Sequence, residues 1–249
     1  FVSLATERAL DKGYDGLDIT ASELTSRSMG YAGVYPDGVN TGAAMLNVGG
    51  VQVAVLAYAY GLSDEGRERT KGDSRGVVAL METQRVTRDI AQARVDGANI
   101  VVVLPHWGTK NRAQTPDTVH AMAERMAQAG ADVILGAHPN VVQGVERIST
   151  VRSDGLTYET VVCYSLGCLL TDARDAQRGD ITANSPPIGM FSVHAAAVER
   201  PARRGDFRHG FRSQSTHDLH IDLDVGLDSG RAVVNHDARS MHRRSQHSC

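Results

Sequence analysis

Two histidines in this sequence follow apolar segments typical of buried strands, and together they could bind a divalent metal ion. The run IVVVL (100–104) leads into His106, and the run DVIL (132–135) leads into His138. Parallel strands end at the same edge of a sheet, so side chains that follow neighbouring strands can converge on one point. Neutral imidazole is a common ligand of divalent metals. The alternative is that each histidine caps its strand and hydrogen-bonds to the backbone.

The segment between these two strands predicts how they are arranged. Residues 115–129 are predicted to form a helix, with Pro116 one residue inside its start and Gly130 just past its end. A strand, a helix and a second strand in this order make a β-α-β unit, in which the strands are parallel and the crossover is right-handed. The sequence therefore predicts an α/β fold.

Further elements are predicted on both sides of this unit. Gly49 and Gly50 separate two apolar runs and predict a hairpin. The other predicted elements are the end of a strand at 1–5, helices at 17–28 and 75–97, hairpin strands at 44–48 and 51–60, and a strand at 158–165.

Three polar or aromatic residues near the histidines have structural interpretations. Trp107 is the only tryptophan and is expected to be a packing anchor beside the pocket. Gln143 and Glu146 are expected to be solvated at the surface, and the alternative is that they orient His138.

The composition argues against several classes of protein. A net charge of −3, from 26 basic and 29 acidic residues, gives no electrostatic reason to bind nucleic acid. Three cysteines provide neither a disulfide framework nor a paired zinc motif. No signal or transmembrane segment is predicted within this chain. Because 41% of the residues are hydrophobic, a sizeable core is expected.

A change of composition near residue 194 predicts two regions. Residues 1–175 are predicted to form one domain, and residues 176–249 an atypical tail rich in histidine and arginine. Within the tail, residues 217–225 alternate polar and apolar side chains, which is typical of an amphipathic strand; a metal-binding face is the alternative. Such a composition, with few aromatic residues, is also typical of poorly ordered sequence.

Five segments of the first 170 residues carry a resemblance to a known family. They are VSLATERALDKGYDGL (2–17), YAGVYPD (31–37), PHWG (105–108), AGADVILGAHPNVVQGVE (129–146) and VVCYSLG (161–167). In this order and spacing they resemble motifs of the poly-γ-glutamate capsule biosynthesis (CapA) family. The resemblance covers the C-terminal two-thirds of the family domain. The chain is therefore expected to be truncated at its N-terminus, with a Gly-Asp and an Asn-Leu-Glu motif upstream.

The resemblance implies a fold and a set of metal ligands. The family domain is similar to the calcineurin-like metallophosphoesterases, which implies a layered α/β sandwich with metal ligands on the loops after the strands. His106 matches the histidine of the family's HWG motif, and His138 matches the first histidine of its HPH motif. The second histidine of that motif is Asn140 here, and the family's Asn-His pair is Glu7-Arg8. His106 and His138 are thus the implied ligands of a divalent metal of open identity, with Glu7 and Asn140 as additional candidates.

The resemblance also implies a function in capsule or poly-γ-glutamate biosynthesis or export at the bacterial cell envelope. The implied activity is phosphoesterase-like hydrolysis, with a polyanionic polymer or a phosphoester as substrate and a membrane synthase as a partner. The alternative is a non-catalytic scaffold or polyanion-binding protein of the same fold, which the changes at Glu7, Arg8 and Asn140 favour. A third interpretation is a truncated chain without a stable fold, because lost strands would expose apolar sheet edges.

Overall fold

The computed structural model describes residues 1–168 except 40–41, 72–74, 76 and 153–154, and the backbone of two later strands. The strands are β1 (Val2–Ser3), β2 (Tyr31–Ala32), β3 (Ala44–Val48), β4 (Val51–Ala59), β5 (Ile100–His106), β6 (Val133–Leu135), β7 (Val145–Val151), β8 (Thr157–Cys163), β9 (Gly189–Glu199) and β10 (His217–Leu227). The helices are α1 (Gly13–Ser26), α2 (Asp64–Arg69), α3 (Thr83–Val95) and α4 (Asp117–Ala129).

A six-stranded sheet forms the centre of the fold. Its strand order is β3-β4-β5-β6-β8-β7, in which β4, β5, β6 and β8 are parallel and the two outer strands are antiparallel to their neighbours. Helix α4 connects β5 to β6, so the predicted parallel β-α-β unit is confirmed. This helix ends at Ala129 and is capped by Gly130, whose φ of 118° is the left-handed conformation that glycine adopts at little cost. Pro116 precedes the first helical residue.

Both faces of the sheet are covered, because alternate residues of strand β4 pack into two different hydrophobic cores. Its residues Ala54, Leu56 and Tyr58 belong to one core, which contains the buried faces of α3 and α4. Its alternate residues belong to a second core, which contains residues of α1, β2 and the segment after β1. A strand with apolar side chains on both faces is what a layered fold requires. The predicted layered α/β sandwich is therefore confirmed.

The predicted hairpin is confirmed, whereas the predicted long helix begins later than expected. Strands β3 and β4 pair across Gly49 and Gly50, whose φ values of 59° and 88° fit a two-residue hairpin turn, as predicted. The helix predicted at 75–97 begins only at Thr83. Before it, Val78 bridges to Val34 and Leu80 bridges to Ala59. The start of the predicted helix was wrong because long-range pairing decided the conformation of this apolar segment.

Two other boundaries and one whole strand also differ from the prediction. Helix α1 begins at Gly13, four residues earlier than expected. Strand β8 ends at Cys163, two residues earlier than expected. Strand β7 was not predicted, because this edge strand is mostly exposed and carries no apolar run.

The described parts of the tail are two paired strands. Strands β9 and β10 form an antiparallel pair, in register from His217 opposite Glu199 to Leu227 opposite Gly189. The strand predicted at 217–225 is therefore confirmed. The predicted boundary near 175 lies outside the described residues. In the part of the chain that the structure describes, no helix is both long and apolar enough to cross a membrane.

Candidate metal site

The two histidines meet because parallel pairing continues beyond the ends of β5 and β6. His106 pairs with Ala137 in a parallel bridge. The Ala137 N–H donates to the Pro105 carbonyl (2.9 Å), and the Trp107 N–H donates to the Ala137 carbonyl (3.0 Å). This pairing brings His138 Nδ1 to 3.0 Å from His106 Nε2, with the ring centroids 4.7 Å apart. One nitrogen carries the hydrogen and the other accepts it.

The turn that carries His138 has an unusual backbone conformation. His138 has a φ of 100° and Asn140 a φ of 63°, in the region that favours glycine. A non-glycine residue in such a conformation costs about 1–3 kcal/mol and persists only where its surroundings hold it. The Asn111 N–H holds this turn by donating to the Pro139 carbonyl at 2.8 Å. Such strain is often found at functional sites.

Glu7 reaches the histidines from a different layer of the fold. It follows β1, and its carbonyl accepts a hydrogen bond from the Ser63 N–H at 2.8 Å. Its Oε2 lies 3.6 Å from His138 Nδ1. One side-chain donor atom from each of Glu7, His106 and His138 lies within 4.8 Å of the other two. We call these three residues the Glu7 group.

Burial and neighbouring charges set the protonation of the Glu7 group. Burial is the main cause that lowers the pKa of His106 to about 4, and the charge of His138 adds to it. Burial also lowers the pKa of His138, although the Glu7 carboxylate opposes the shift. Partial burial acts to raise the pKa of Glu7, but the hydrogen bond from Lys110 and the nearby positive charges outweigh it, so the pKa lies below its ordinary value. At neutral pH the group offers two neutral imidazoles and a carboxylate.

These donors fit a divalent cation. Four-coordinate zinc binds histidine nitrogen and carboxylate oxygen at about 2.0–2.2 Å, so neighbouring tetrahedral ligands are about 3.4 Å apart. The 3.0 Å from His138 Nδ1 to His106 Nε2 and the 3.6 Å from His138 Nδ1 to Glu7 Oε2 bracket that value, and the donor atoms of His106 and Glu7 lie within 4.8 Å of each other. A set of two imidazoles and one carboxylate suits zinc and other first-row transition metals better than calcium or magnesium.

Of the other two residues singled out from the sequence, Arg8 pairs outside this group, and Asn140 stays a candidate ligand. The Arg8 guanidinium pairs with Asp11 at 2.7 Å, and its side chain is 74% exposed. Asn140 stands two residues after His138 and is half-buried. Within the described residues, no hydrogen bond connects its amide to Glu7, His106 or His138.

Trp107 packs behind the site and Lys110 lies in it. Trp107 is buried, stacks on Tyr164 and donates from Nε1 to the Tyr164 carbonyl at 2.9 Å, which confirms its predicted packing role.

Lys110 Nζ lies 2.5 Å from Glu7 Oε1, and sequence analysis missed this residue. The available signal was that Lys110 is one of only three lysines, four residues after His106.

Gln143 and Glu146 form contacts away from His138. Gln143 is buried, against the prediction of a solvated surface residue, and its amide donates to the Arg112 carbonyl at 2.8 Å. Glu146 accepts a hydrogen bond from the Tyr164 hydroxyl. Among the described residues, no hydrogen bond joins either of the two to His138, so the structure does not support that alternative.

Comparison with known proteins shows which family the chain resembles. The family model described as "Bacterial capsule synthesis protein PGA_cap" matches residues 1–173. The PGA biosynthesis protein CapA of Bacillus subtilis (strain 168) is 29% identical over 170 residues, which are 68% of this chain and 41% of that protein. The capsule biosynthesis protein CapA of Bacillus anthracis is 29% identical over 177 residues, 69% of this chain and 40% of that protein.

These matches cover different shares of this chain and of its relatives. The chain spans about two-fifths of the length of these two curated relatives. The family model, in contrast, covers well over half of the chain and contains the whole Glu7 group. The resemblance predicted from the sequence motifs is confirmed. The chain belongs to the family of bacterial capsule synthesis proteins described as PGA_cap, which is the CapA family.

Proposed function

We propose that the Glu7 group binds a divalent metal ion and forms the centre of a phosphoesterase-like hydrolase site. The observation that carries this proposal is the convergence of Glu7, His106 and His138 from two layers of the fold, with donor atoms within 4.8 Å of one another. A bound divalent cation would supply Lewis acidity and a nucleophilic water at neutral pH. The protein residues would hold that cation beside a substrate phosphoester or a related bond.

The state of each side chain is suitable for this function. The lowered pKa values of His106 and His138 keep both imidazoles neutral, so a cation would not have to displace a proton from an imidazolium. Glu7 is ionised and contributes a negative charge. The buried Trp107 and the hydrogen bonds of Ala137 fix the backbone from which both histidines project.

The proposed biological setting is the synthesis or export of a capsule polymer at the bacterial cell envelope. Two relatives are named for PGA biosynthesis and capsule biosynthesis, which supports this setting. We propose a polyanionic polymer or a phosphoester as substrate and a membrane synthase as partner.

Metal binding can be tested with three histidine variants. Equilibrium dialysis against Zn²⁺ or Mn²⁺, followed by elemental analysis, is expected to find a bound ion in the wild-type chain. His106→Ala and His138→Ala each remove one ligand and should weaken binding by at least about 100-fold. His120→Ala is the matched control, because His120 is a partly exposed histidine that contacts Tyr164 and lies outside the group. Equal binding by all four proteins would contradict the proposal.

A non-catalytic polyanion-binding or scaffold protein is the second candidate. It is favoured because Lys110 already neutralises the Glu7 carboxylate and because Asn140 stands where the family motif has its second histidine. Hydrolysis of an activated phosphodiester by the metal-loaded chain, lost in His106→Ala, would support the enzyme. Metal binding without hydrolysis, combined with binding of poly-γ-glutamate, would support the scaffold. The double change Glu7→Asn with Arg8→His restores the Asn-His pair of the family motif. If this change creates hydrolase activity in a chain that also carries the upstream motifs, the site of this protein has lost an activity that an ancestral enzyme had.

A further inference from the structure

The two oxygens of the Glu7 carboxylate face different groups: one faces the histidines and the other faces Lys110. Oε2 faces the imidazoles, 3.6 Å from His138 Nδ1, whereas Oε1 lies 2.5 Å from Lys110 Nζ. In two-metal hydrolase sites, two cations lie about 3.5–4 Å apart and together stabilise the oxygens of the substrate. Here the ammonium group of Lys110 contacts the Glu7 oxygen that a second cation would have to use.

The backbone of the Lys110 loop explains why the ammonium group is at this place. Gly108 has a φ of 83°, and a Cβ atom there would lie 3.4 Å from Pro139 Cγ, so the loop runs close against the turn after β6. One residue past Lys110, the Asn111 N–H donates to the Pro139 carbonyl at 2.8 Å. The loop that carries Lys110 is therefore fastened to the turn that carries His138.

The remaining donors near Glu7 favour one metal ion over two. Among the described histidines, cysteines, aspartates and glutamates, Glu7, His106 and His138 are the only group of three with the spacing of metal ligands. A second divalent ion on Oε1 would have to displace Lys110 from its 2.5 Å contact. An ammonium group and a divalent cation on the same carboxylate also repel each other, which lowers the affinity for the metal ion.

We propose that the centre holds one divalent cation, and that Lys110 is its second positive group, so that an oxyanion such as phosphate binds between the two. This inference rests on the proposed function, because it assumes that the Glu7 group binds the cation. With one divalent ion, the charges of Glu7 and Lys110 cancel and the centre keeps a net charge of about +2, which matches a phosphate dianion. Lys110 is half-exposed, so its ammonium group remains accessible to such a ligand.

Two variants test this proposal with Mn²⁺ and inorganic phosphate as probes. Equilibrium dialysis should find one His106-dependent Mn²⁺ per wild-type chain. Lys110→Met removes the repulsion and should bind Mn²⁺ about tenfold more tightly. The same variant, once loaded with Mn²⁺, should bind inorganic phosphate about tenfold more weakly in calorimetry. Lys71→Met is the matched control, since Lys71 is an exposed lysine paired with Glu68.

The possible outcomes separate this inference from the proposed function. Two His106-dependent ions per wild-type chain would overturn the inference, and so would equal Mn²⁺ and phosphate affinities of Lys110→Met and Lys71→Met. Both results would leave the proposed metal site in place. Absence of Mn²⁺ from the wild-type chain would overturn the two together. Thermal melting followed by circular dichroism confirms that both variants fold.

Discussion

The residues of the site differ in how far the sequence alone could locate them. His106 and His138 follow recognisable strands, so their convergence could be predicted from the rule that parallel strands end at one edge. Glu7 was identified only through its position in a family motif. Lys110 could not be placed, because its approach to Glu7 depends on the hydrogen bond between Asn111 and Pro139, which forms only in the folded chain.

The burial of His106 predicts a pH dependence of stability in the metal-free protein. Its pKa of about 4 in the folded chain lies below the ordinary value of 6.5, so between these pH values the unfolded chain binds more protons. Lowering the pH through this window therefore favours unfolding. Allowing for its partial exposure to solvent, His106 should reduce the free energy of unfolding by about 1–2 kcal/mol between pH 7 and pH 4.5.

Urea unfolding in the presence of a chelator measures this effect. His106→Asn removes the group and should show a smaller loss of stability over the same pH range than the wild type. Glu7 acts in a different window, because its lowered pKa stabilises the folded chain above its unfolded value of 4.5 and this contribution is lost only below it. Equal pH dependence in the two proteins would show that His106 is not the responsible group.

At the scale of elements, the site depends on how closely β6 and β8 approach where they end. The Gly136 N–H donates to the Cys163 carbonyl at 2.7 Å, and the Leu166 N–H donates to the Gly136 carbonyl at 3.0 Å. Trp107 closes this region through its bond to the Tyr164 carbonyl. A Cβ atom on residue 136 would lie 2.1 Å from that carbonyl oxygen and 2.4 Å from Trp107 Nε1, so only glycine fits.

Gly136→Ala should therefore destabilise the protein and disturb the metal site. Separating β6, β8 and Trp107 is expected to cost about 2–3 kcal/mol of unfolding free energy, as overpacking of a core does. Because Gly136 precedes His138 by two residues, the affinity for a divalent cation should also fall. Gly144→Ala is the matched control, since a Cβ there meets no atom within 4 Å, and it should change stability by less than about 0.5 kcal/mol. Similar unfolding midpoints in urea for the two variants would contradict this account.

For the whole molecule, local patterns could predict the central β-α-β unit but not the layer that covers it. The strand at 100–104 and the helix at 115–129 are determined by nearby residues, and both were found. The segment before α3 pairs with Val34 and Ala59, and Gly33 packs against Ala5 and Ala57, so these contacts join parts of the chain far apart in sequence. The packing of the N-terminal layer on the sheet, and therefore the position of Glu7, could not be derived from local patterns.

A cation in the Glu7 group would connect these two layers, and this has a measurable consequence. Glu7 belongs to the layer that contains β1 and α1, whereas both histidines project from the end of the central sheet. A ligand that binds only the folded chain stabilises it by about 2.7 kcal/mol at a concentration 100 times its dissociation constant. Local opening of the N-terminal layer would break the ligand set, so Mn²⁺ should slow the exchange of amide hydrogens there.

Hydrogen–deuterium exchange with and without Mn²⁺ tests this connection. The amides of Ala9 and Ser63 are the most informative, because they donate to the carbonyls of Thr6 and Glu7. Both amides should exchange more slowly with Mn²⁺ present, in the wild type and in Glu23→Ala. Glu23→Ala is the matched control, because Glu23 is an exposed glutamate that pairs with Arg27 in the same layer. Glu7→Ala should lose this protection even if the two histidines retain a weakly bound ion, since the cation then contacts the sheet alone. Protection of both amides that persists in Glu7→Ala would mean that the metal ion stabilises the sheet without linking it to the N-terminal layer.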